Sequence, residues 1–281
     1  MKTALLMVVL TSVLMAAGYA IGIVFAVSWF YTVSIAFAVA MLLNFASYWY
    51  SDKIVLKMYG ANIVSENIAP ELYSMVSRLS MQAHLPMPKI AIINTETPNA
   101  FATGRNFENA VIAVTSGALS LLTREELEAV LAHELGHIKN RDMFISTVAA
   151  VMAGTIGYLG FIGRFMLWSR GSQKSSGYSQ IIGVLLLVIF LPLAALLIRL
   201  AISRTREYAA DEEGALISGN PHALADALLR IEKSVKKNPL KKGSPATAHM
   251  FIVNPFRGQS VMELLSTHPS TESRVNRLRN M

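Results

Sequence analysis

The stretch His133-Glu134-Leu135-Gly136-His137 decides how the rest of this chain is interpreted. It lies downstream of Thr123-Arg124-Glu125-Glu126, in which Thr and Glu three residues apart are typical of a helix N-terminal capping box. We therefore expect a helix from Arg124 to about Asp142. Residues four apart share one face of a helix, so the two imidazoles point toward the same place.

Two histidines at this spacing favour a divalent metal, with zinc as the default ion. Catalytic zinc sites use three protein ligands and keep one position open. Glu134 lies beside the first of these ligands, where it can take a proton from a water that attacks a peptide carbonyl. The alternative interpretation is a charged helix that carries two surface histidines and a solvated glutamate. The rarity of the motif in a chain with 6 His makes that alternative the weaker one.

The third ligand must come from another part of the chain. Position 143 is Met143, which excludes the spacing that supplies a third histidine from the same segment. Glu207 and Asp211 lie four apart on a second predicted helix, so Glu207 can bind the metal while Asp211 orients a ligand imidazole. The alternative is that these two carboxylates only pair with Arg204 or Arg206 on a charged helix.

The composition indicates a membrane-associated protein. Hydrophobic residues make up 53% of the 281 residues and charged residues 15%, whereas soluble domains carry about 25% charge. The chain has no cysteine, which excludes disulfides and thiolate metal sites. The net charge of +7 does not indicate nucleic-acid binding, because the basic residues flank apolar segments and a C-terminal loop without interleaved aromatics.

Apolar runs at 4–28 and 32–50 are each long enough to cross a bilayer core, which needs roughly 20 residues. A cleaved signal peptide is the alternative for the first run, but that run is too long and a second one follows at once. A second apolar pair lies at 144–168 and about 180–203, and the basic residues of its loop leave open whether it spans the membrane.

These runs divide the chain into four parts. They are a transmembrane hairpin (1–51), the first part of a catalytic domain (52–143), a second hydrophobic hairpin (144–203) and the second part of that domain (204–281). Both polar parts are rich in Lys and Arg, which predicts that they face the cytoplasm. The charges on the His133–His137 helix exclude a site within lipid, yet only six residues separate His137 from Phe144, where an apolar run begins.

The polar parts predict a small β-sheet among helices. Lys89–Thr95 and Ala110–Val114 are rich in Ile and Val and are expected to form strands. Asn99–Gly104 is a candidate further edge strand. Asn220 and Pro221 predict the capped start of a helix. The expected fold class is therefore mainly α, with a small sheet and two hydrophobic hairpins.

Four segments resemble the HtpX branch of the membrane metalloproteases related to the CAAX prenyl proteases. These segments are HELGHIKNRD (133–142), SRTREYAAD (203–211), THPST (267–271) and NAFATG (99–104). The resemblance covers essentially the whole chain and implies a gluzincin fold with one zinc per chain. It also implies a stress-response protease of the bacterial inner (cytoplasmic) membrane that cleaves misfolded or damaged membrane proteins on the cytosolic side.

The same resemblance suggests roles for three further residues. His268 is expected to donate a hydrogen bond to the oxyanion, although His-Pro-Ser also suits a plain turn. Asn99 and Ala100 are expected to lie on the strand that pairs with an extended substrate, although this segment also suits a loop. A protein of another class, a non-catalytic membrane chaperone that retains the metal site, is disfavoured by the presence of Glu134.

Overall fold

The chain divides into two units, which are described separately. The first combines Met1–Tyr50 with Val148–Ala201, and the second combines Ser51–Thr147 with Ile202–Met281. The computed structural model describes residues 2–24, 26–149, 151, 204–237, 251–253 and 269–281. Most of the predicted second hydrophobic hairpin, 144–203, lies outside the described residues, and so does His268.

The described chain begins with two consecutive apolar helices, α1 (Lys2–Val24) and α2 (Trp29–Met58). The first unit contains α1 and the part of α2 up to Tyr50. In the described part of the chain, α2 is the one helix long and apolar enough to cross a membrane. Large apolar side chains such as Phe30, Ile35 and Leu42 are more than half exposed on it. A helix that presents such side chains outward is suited to an apolar solvent.

Small residues bring α1 and α2 close together. A Cβ atom added at Gly18 would lie 2.7 Å from both the Cβ of Ala36 and the carbonyl oxygen of Thr32. Gly18 and Gly22 are four apart, the spacing of the motif that lets apolar helices approach closely. Further along the pair, the side-chain amide of Asn44 donates to Oγ1 of Thr11 at 3.0 Å.

The second unit contains a four-stranded sheet in the order β1-β2-β4-β3. Its strands are β1 (Ala61–Ile63), β2 (Lys89–Ile93), β3 (Ala100–Thr103) and β4 (Val111–Thr115). β2 pairs parallel with β4, and the other two pairs are antiparallel. The predicted strands are therefore confirmed, and β3 is an edge strand as expected.

This unit also contains helices, of which six are labelled within the described residues. They are α3 (Pro70–Ala83), α4 (Ser116–Leu121), α5 (Arg124–Lys139), α6 (Arg204–Ser218), α7 (Pro221–Lys237) and α8 (Thr271–Arg279). The predicted capping box at the start of α5 is present, and the side chain of Asn220 accepts from the backbone N–H of Ala223 at the start of α7. The prediction that α5 runs to about Asp142 was wrong. It ends at Lys139, because Arg141 adopts a left-handed conformation (φ 58°) before a further helix starts at 142.

Glycines set the separation between α5 and α6. A Cβ atom at Gly214 would lie 2.8 Å from both the backbone nitrogen and the Cα of His133. A Cβ atom at Gly136 would lie 2.9 Å from the carbonyl oxygen of Ala210. Backbone thus meets backbone at this crossing, which brings the helix that carries the His pair directly against the helix that carries Glu207.

Candidate metal centre

The structure brings His133, His137 and Glu207 to one place. Each offers a ligand atom, and these atoms all lie within 4.8 Å of one another. Nε2 of His137 is 3.5 Å from Oε1 of Glu207, and Nε2 of His133 is 4.0 Å from Oε2. The two imidazole planes are nearly perpendicular, at 82°. The three groups therefore converge from two helices on a common point.

This donor set fits zinc. Ligand atoms about 2.0–2.1 Å from a tetrahedral ion lie roughly 3.3 Å apart. The distance of 3.5 Å from His137 to Glu207 is close to this value, and the distance of 4.0 Å from His133 to Glu207 is longer. Two imidazoles and one carboxylate are also a ligand set of catalytic zinc sites, which keep a position open.

A buried carboxylate and guanidinium support the first of these histidines. Oδ1 of Asp211 lies 3.0 Å from Nδ1 of His133. Arg274, from α8, donates to both oxygens of Asp211, from Nε at 2.9 Å and from Nη2 at 2.7 Å. Burial alone would raise the pKa of Asp211, but the guanidinium of Arg274 holds that pKa below its usual range. Asp211 therefore stays ionised and can accept the Nδ1 proton of His133, which leaves Nε2 as the ligand atom.

Arg274 also contacts other parts of the centre. Its Nη1 donates to the carbonyl oxygen of Ile252 at 3.1 Å and lies 3.5 Å from Oε2 of Glu207. No role was predicted for Arg274. A signal was available, because Arg274 lies four residues before Leu278 and next to Val275, on the apolar face that buries α8.

Glu134 points into the same cavity and is held by the edge strand. Its Oε2 accepts a hydrogen bond of 2.8 Å from the backbone N–H of Ala102 in β3. Burial raises the pKa of the Glu134 carboxyl, and the two neighbouring imidazoles oppose that rise. A carboxylate with a raised pKa beside a metal position is suited to take a proton from water.

A second carboxylate stands behind His137. Oδ2 of Asp142 lies 3.6 Å from Nδ1 of His137. Burial on its own lowers the pKa of this imidazole, but the surrounding carboxylates, Asp142 first, raise that pKa to about 9. His137 therefore lies in a negative environment, which suits a bound cation.

Asn99 and Ala100, predicted to bind substrate, have different positions. Ala100 is the first residue of β3. Asn99 is buried, and its side-chain oxygen accepts from the backbone N–H of Ile252 at 3.0 Å. Asn99 thus ties the segment 251–253 to the start of the edge strand. Phe101, Met143 and Ile252 contribute apolar surface to the cavity around the metal ligands.

Fold and site together define a class of protein. Two histidines and a glutamate on neighbouring helices, with a further glutamate beside them and an edge strand along the cavity, are the arrangement of a metallopeptidase. The chain belongs to peptidase family M48, whose model matches residues 66–281.

Relatives within this family match most or all of the chain. It is 54% identical over 280 residues to the protease HtpX homolog of Pyrococcus furiosus, with 100% of this chain and 95% of that protein covered. It is 50% identical over 249 residues to the protease HtpX homolog of Aquifex aeolicus, with 87% of this chain and 82% of that protein covered. The predicted kinship with HtpX proteases is therefore confirmed.

Among solved structures, the chain resembles the crystal structure of Ste24p from S. mikatae, with a TM-score of 0.51 and 19% identity. The match covers 99% of this chain and 64% of the Ste24p chain. At this identity the likeness concerns the fold.

Proposed function

We infer that this protein is a membrane-anchored, zinc-dependent endopeptidase that cleaves misfolded or damaged membrane proteins on the cytosolic side. The observation that carries the proposal is the convergence of His133, His137 and Glu207 on one point, with Glu134 beside it. In this proposal 1–51 and 144–203 anchor the chain in a cytoplasmic membrane, and 52–143 and 204–281 form the protease part.

Each residue of the centre has a distinct task. His133, His137 and Glu207 would hold zinc, which when bound would supply Lewis acidity toward the scissile carbonyl and the attacking water. Glu134 takes a proton from that water, and its hydrogen bond from Ala102 fixes the carboxylate in position. Asp211 keeps the imidazole of His133 in the required tautomer.

Substrate binding is assigned to the edge strand and to the tail. Because β3 lies at the edge of the sheet, an extended substrate segment can add to it. Ala100 lies on that strand, and Asn99 holds the neighbouring segment in place. His268 is the proposed hydrogen-bond donor to the oxyanion.

The decisive experiment compares Glu134→Gln with the native full-length chain in detergent. The substrate is casein, as an unfolded test protein, and zinc content is measured on both proteins by metal analysis. We expect the variant to keep its zinc and to lose cleavage by about 10²- to 10⁴-fold, since it loses the proton acceptor and no ligand. The chelator 1,10-phenanthroline is expected to abolish native cleavage.

Glu128→Gln is the matched control, because Glu128 lies on the same helix and pairs with Arg78 outside the centre. It is expected to cleave at the native rate. Near-native cleavage by Glu134→Gln would overturn the mechanism. Suppression of aggregation without any chelator-sensitive cleavage by the native chain would instead identify the protein as a chaperone that retains a metal site.

A further inference from the structure

His137 faces the buried carboxylate of Asp142, which has no role in the mechanism proposed above. Asp142 is 7% exposed. Within the described part of the chain, its Oδ2 makes no hydrogen bond, and Nδ1 of His137 lies 3.6 Å away from it. A buried carboxylate oxygen without a donor is costly, so its position beside an imidazole N–H requires an explanation.

The backbone makes a special turn to place this carboxylate. On an uninterrupted helix, residues five apart are separated by about 140° around the axis, so Asp142 would point away from His137. Instead α5 ends at Lys139, Arg141 adopts φ 58°, and the chain re-enters a helix at 142. A left-handed conformation at a residue other than glycine costs about 1 kcal/mol or more. The guanidinium of Arg141 lies over the ring of Phe107 at 5.2 Å, a contact that helps to hold the turn.

An arginine lies on the far side of Asp142. Nη1 of Arg206 is 3.7 Å from Oδ1 of Asp142, and both side chains are largely buried. Arg206 directly precedes Glu207 on α6, so Asp142 connects the helix of the His pair to the helix of the third ligand. The order of groups, imidazole then carboxylate then guanidinium, repeats the order of His133, Asp211 and Arg274.

The two arrangements differ in closeness. Asp211 lies 3.0 Å from Nδ1 of His133 and 2.7 Å from Nη2 of Arg274. Asp142 lies 3.6 Å from Nδ1 of His137 and 3.7 Å from Nη1 of Arg206. The second set lies just outside hydrogen-bonding distance. A rotation of the His137 ring that moves Nδ1 by a few tenths of an ångström brings Nδ1 within hydrogen-bonding distance of Asp142.

We propose that Asp142 is a positioning residue for His137: it accepts the Nδ1 proton and directs Nε2 toward the metal, while Arg206 holds the carboxylate in place. This inference rests on the proposed metal site. Carboxylates behind ligand imidazoles fix the ring orientation and the tautomer, and their loss typically weakens metal binding by about 10- to 100-fold.

The test measures metal binding, not activity, on the full-length chain in detergent. Zinc affinity is determined by competition with a chromophoric chelator, and the visible absorption bands of the Co²⁺-loaded protein report the ligand geometry. We expect Asp142→Ala to weaken zinc binding by about 10- to 100-fold and to shift the Co²⁺ bands. Asp142→Asn keeps an oxygen acceptor and is expected to restore part of the affinity.

Glu126 provides the matched control. It is also a buried carboxylate paired with an arginine, 2.9 Å from Nε of Arg230, but it lies at the opposite end of α5 from the centre. Glu126→Ala is expected to lower thermal stability and to leave zinc affinity and the Co²⁺ bands unchanged.

The outcomes separate the two proposals. Zinc affinity of Asp142→Ala within about twofold of the native value, or unshifted Co²⁺ bands, overturns the role of Asp142 and leaves the zinc site intact. An equal loss of affinity in Glu126→Ala overturns it as well, since the effect is then general to the fold. A native chain that binds no zinc overturns the proposed function itself.

Discussion

The helix α2 and the metal centre place their side chains in opposite ways. On α2, Phe30 and Leu42 are 61% and 69% exposed. At the centre, His133, Asp211 and Arg274 are 1–2% exposed. Apolar groups on the outside require an apolar solvent, and ionisable groups on the inside require partners. One chain thus meets both conditions, with Asp211 and Arg274 paired in the interior and the exposed apolar face of α2 suited to lipid.

The largest effect is expected when a buried charge loses its partner. Arg274→Met leaves Asp211 buried without a guanidinium, which costs about 3–5 kcal/mol of unfolding free energy. Thermal or denaturant unfolding of the full chain in detergent measures this change. Arg279→Met on the same helix is the control, because Arg279 is half exposed and lies 3.5 Å from Asp226, and it is expected to cost about 0–1 kcal/mol. Equal costs for the two variants would remove the distinction between buried and surface charge.

Placing a charge on the apolar helix tests the other side of the comparison. Leu42→Lys, near the centre of the apolar part of α2, is expected to disfavour membrane insertion by about 2.5–3.5 kcal/mol. Leu216→Lys is the matched control, since Leu216 is 78% exposed on α6 in the second unit. We expect that variant to stay within about 0.5 kcal/mol of the native stability. The membrane fraction of each variant after expression is the measurement, and normal insertion of Leu42→Lys would contradict a lipid-facing position.

Both regions also use glycine to bring helices together, which permits a parallel test. Gly214→Ala places a methyl group 2.8 Å from the backbone of His133 and is expected to cost about 1–3 kcal/mol and to weaken zinc binding. Gly18→Ala places one 2.7 Å from the backbone of Thr32. It is expected to loosen the pairing of α1 with α2 and to leave zinc affinity unchanged. Unfolding and chelator competition on both variants distinguish these results, and unaltered zinc affinity in Gly214→Ala would contradict the close crossing.

The smallest effect is expected for a polar contact between the apolar helices. The hydrogen bond from Asn44 to Thr11 joins α1 and α2. A double-mutant cycle of Asn44→Leu and Thr11→Val is expected to give a coupling of about 0.6 kcal/mol, the average for such contacts in membrane helices. A coupling of zero would mean that the two side chains act independently.

Local signals made much of the protease unit predictable. The capping box fixed the start of α5, and the spacing of four residues placed His133 and His137 on one face. Glu207 and Asp211 were found by the same spacing, and the structure brings both to the centre. These positions could be predicted because each depends on residues within one helical turn, whereas the roles of Glu207 and Asp211 stay predictions.

Features that depend on distant residues or on a single backbone angle were missed. Nothing near Arg141 in the sequence requires a left-handed residue, so α5 was extended past its end and Asp142 received no role. Arg274 meets Asp211 across 63 positions, a distance that periodicity does not bridge. Helix α3 and strand β1 were likewise not predicted, although Pro70 and the apolar residues Leu72, Met75, Val76 and Leu79 at helical spacing offered a signal for α3.

The hydrogen bonds of Arg274 have a consequence for the order in which the protein matures. During synthesis His133, His137 and Glu207 are made before residue 274. Asp211 therefore has no guanidinium partner until Arg274 has been made and α8 has packed in place. A nascent chain therefore carries its metal ligands before it carries the guanidinium that pairs with Asp211 beside His133.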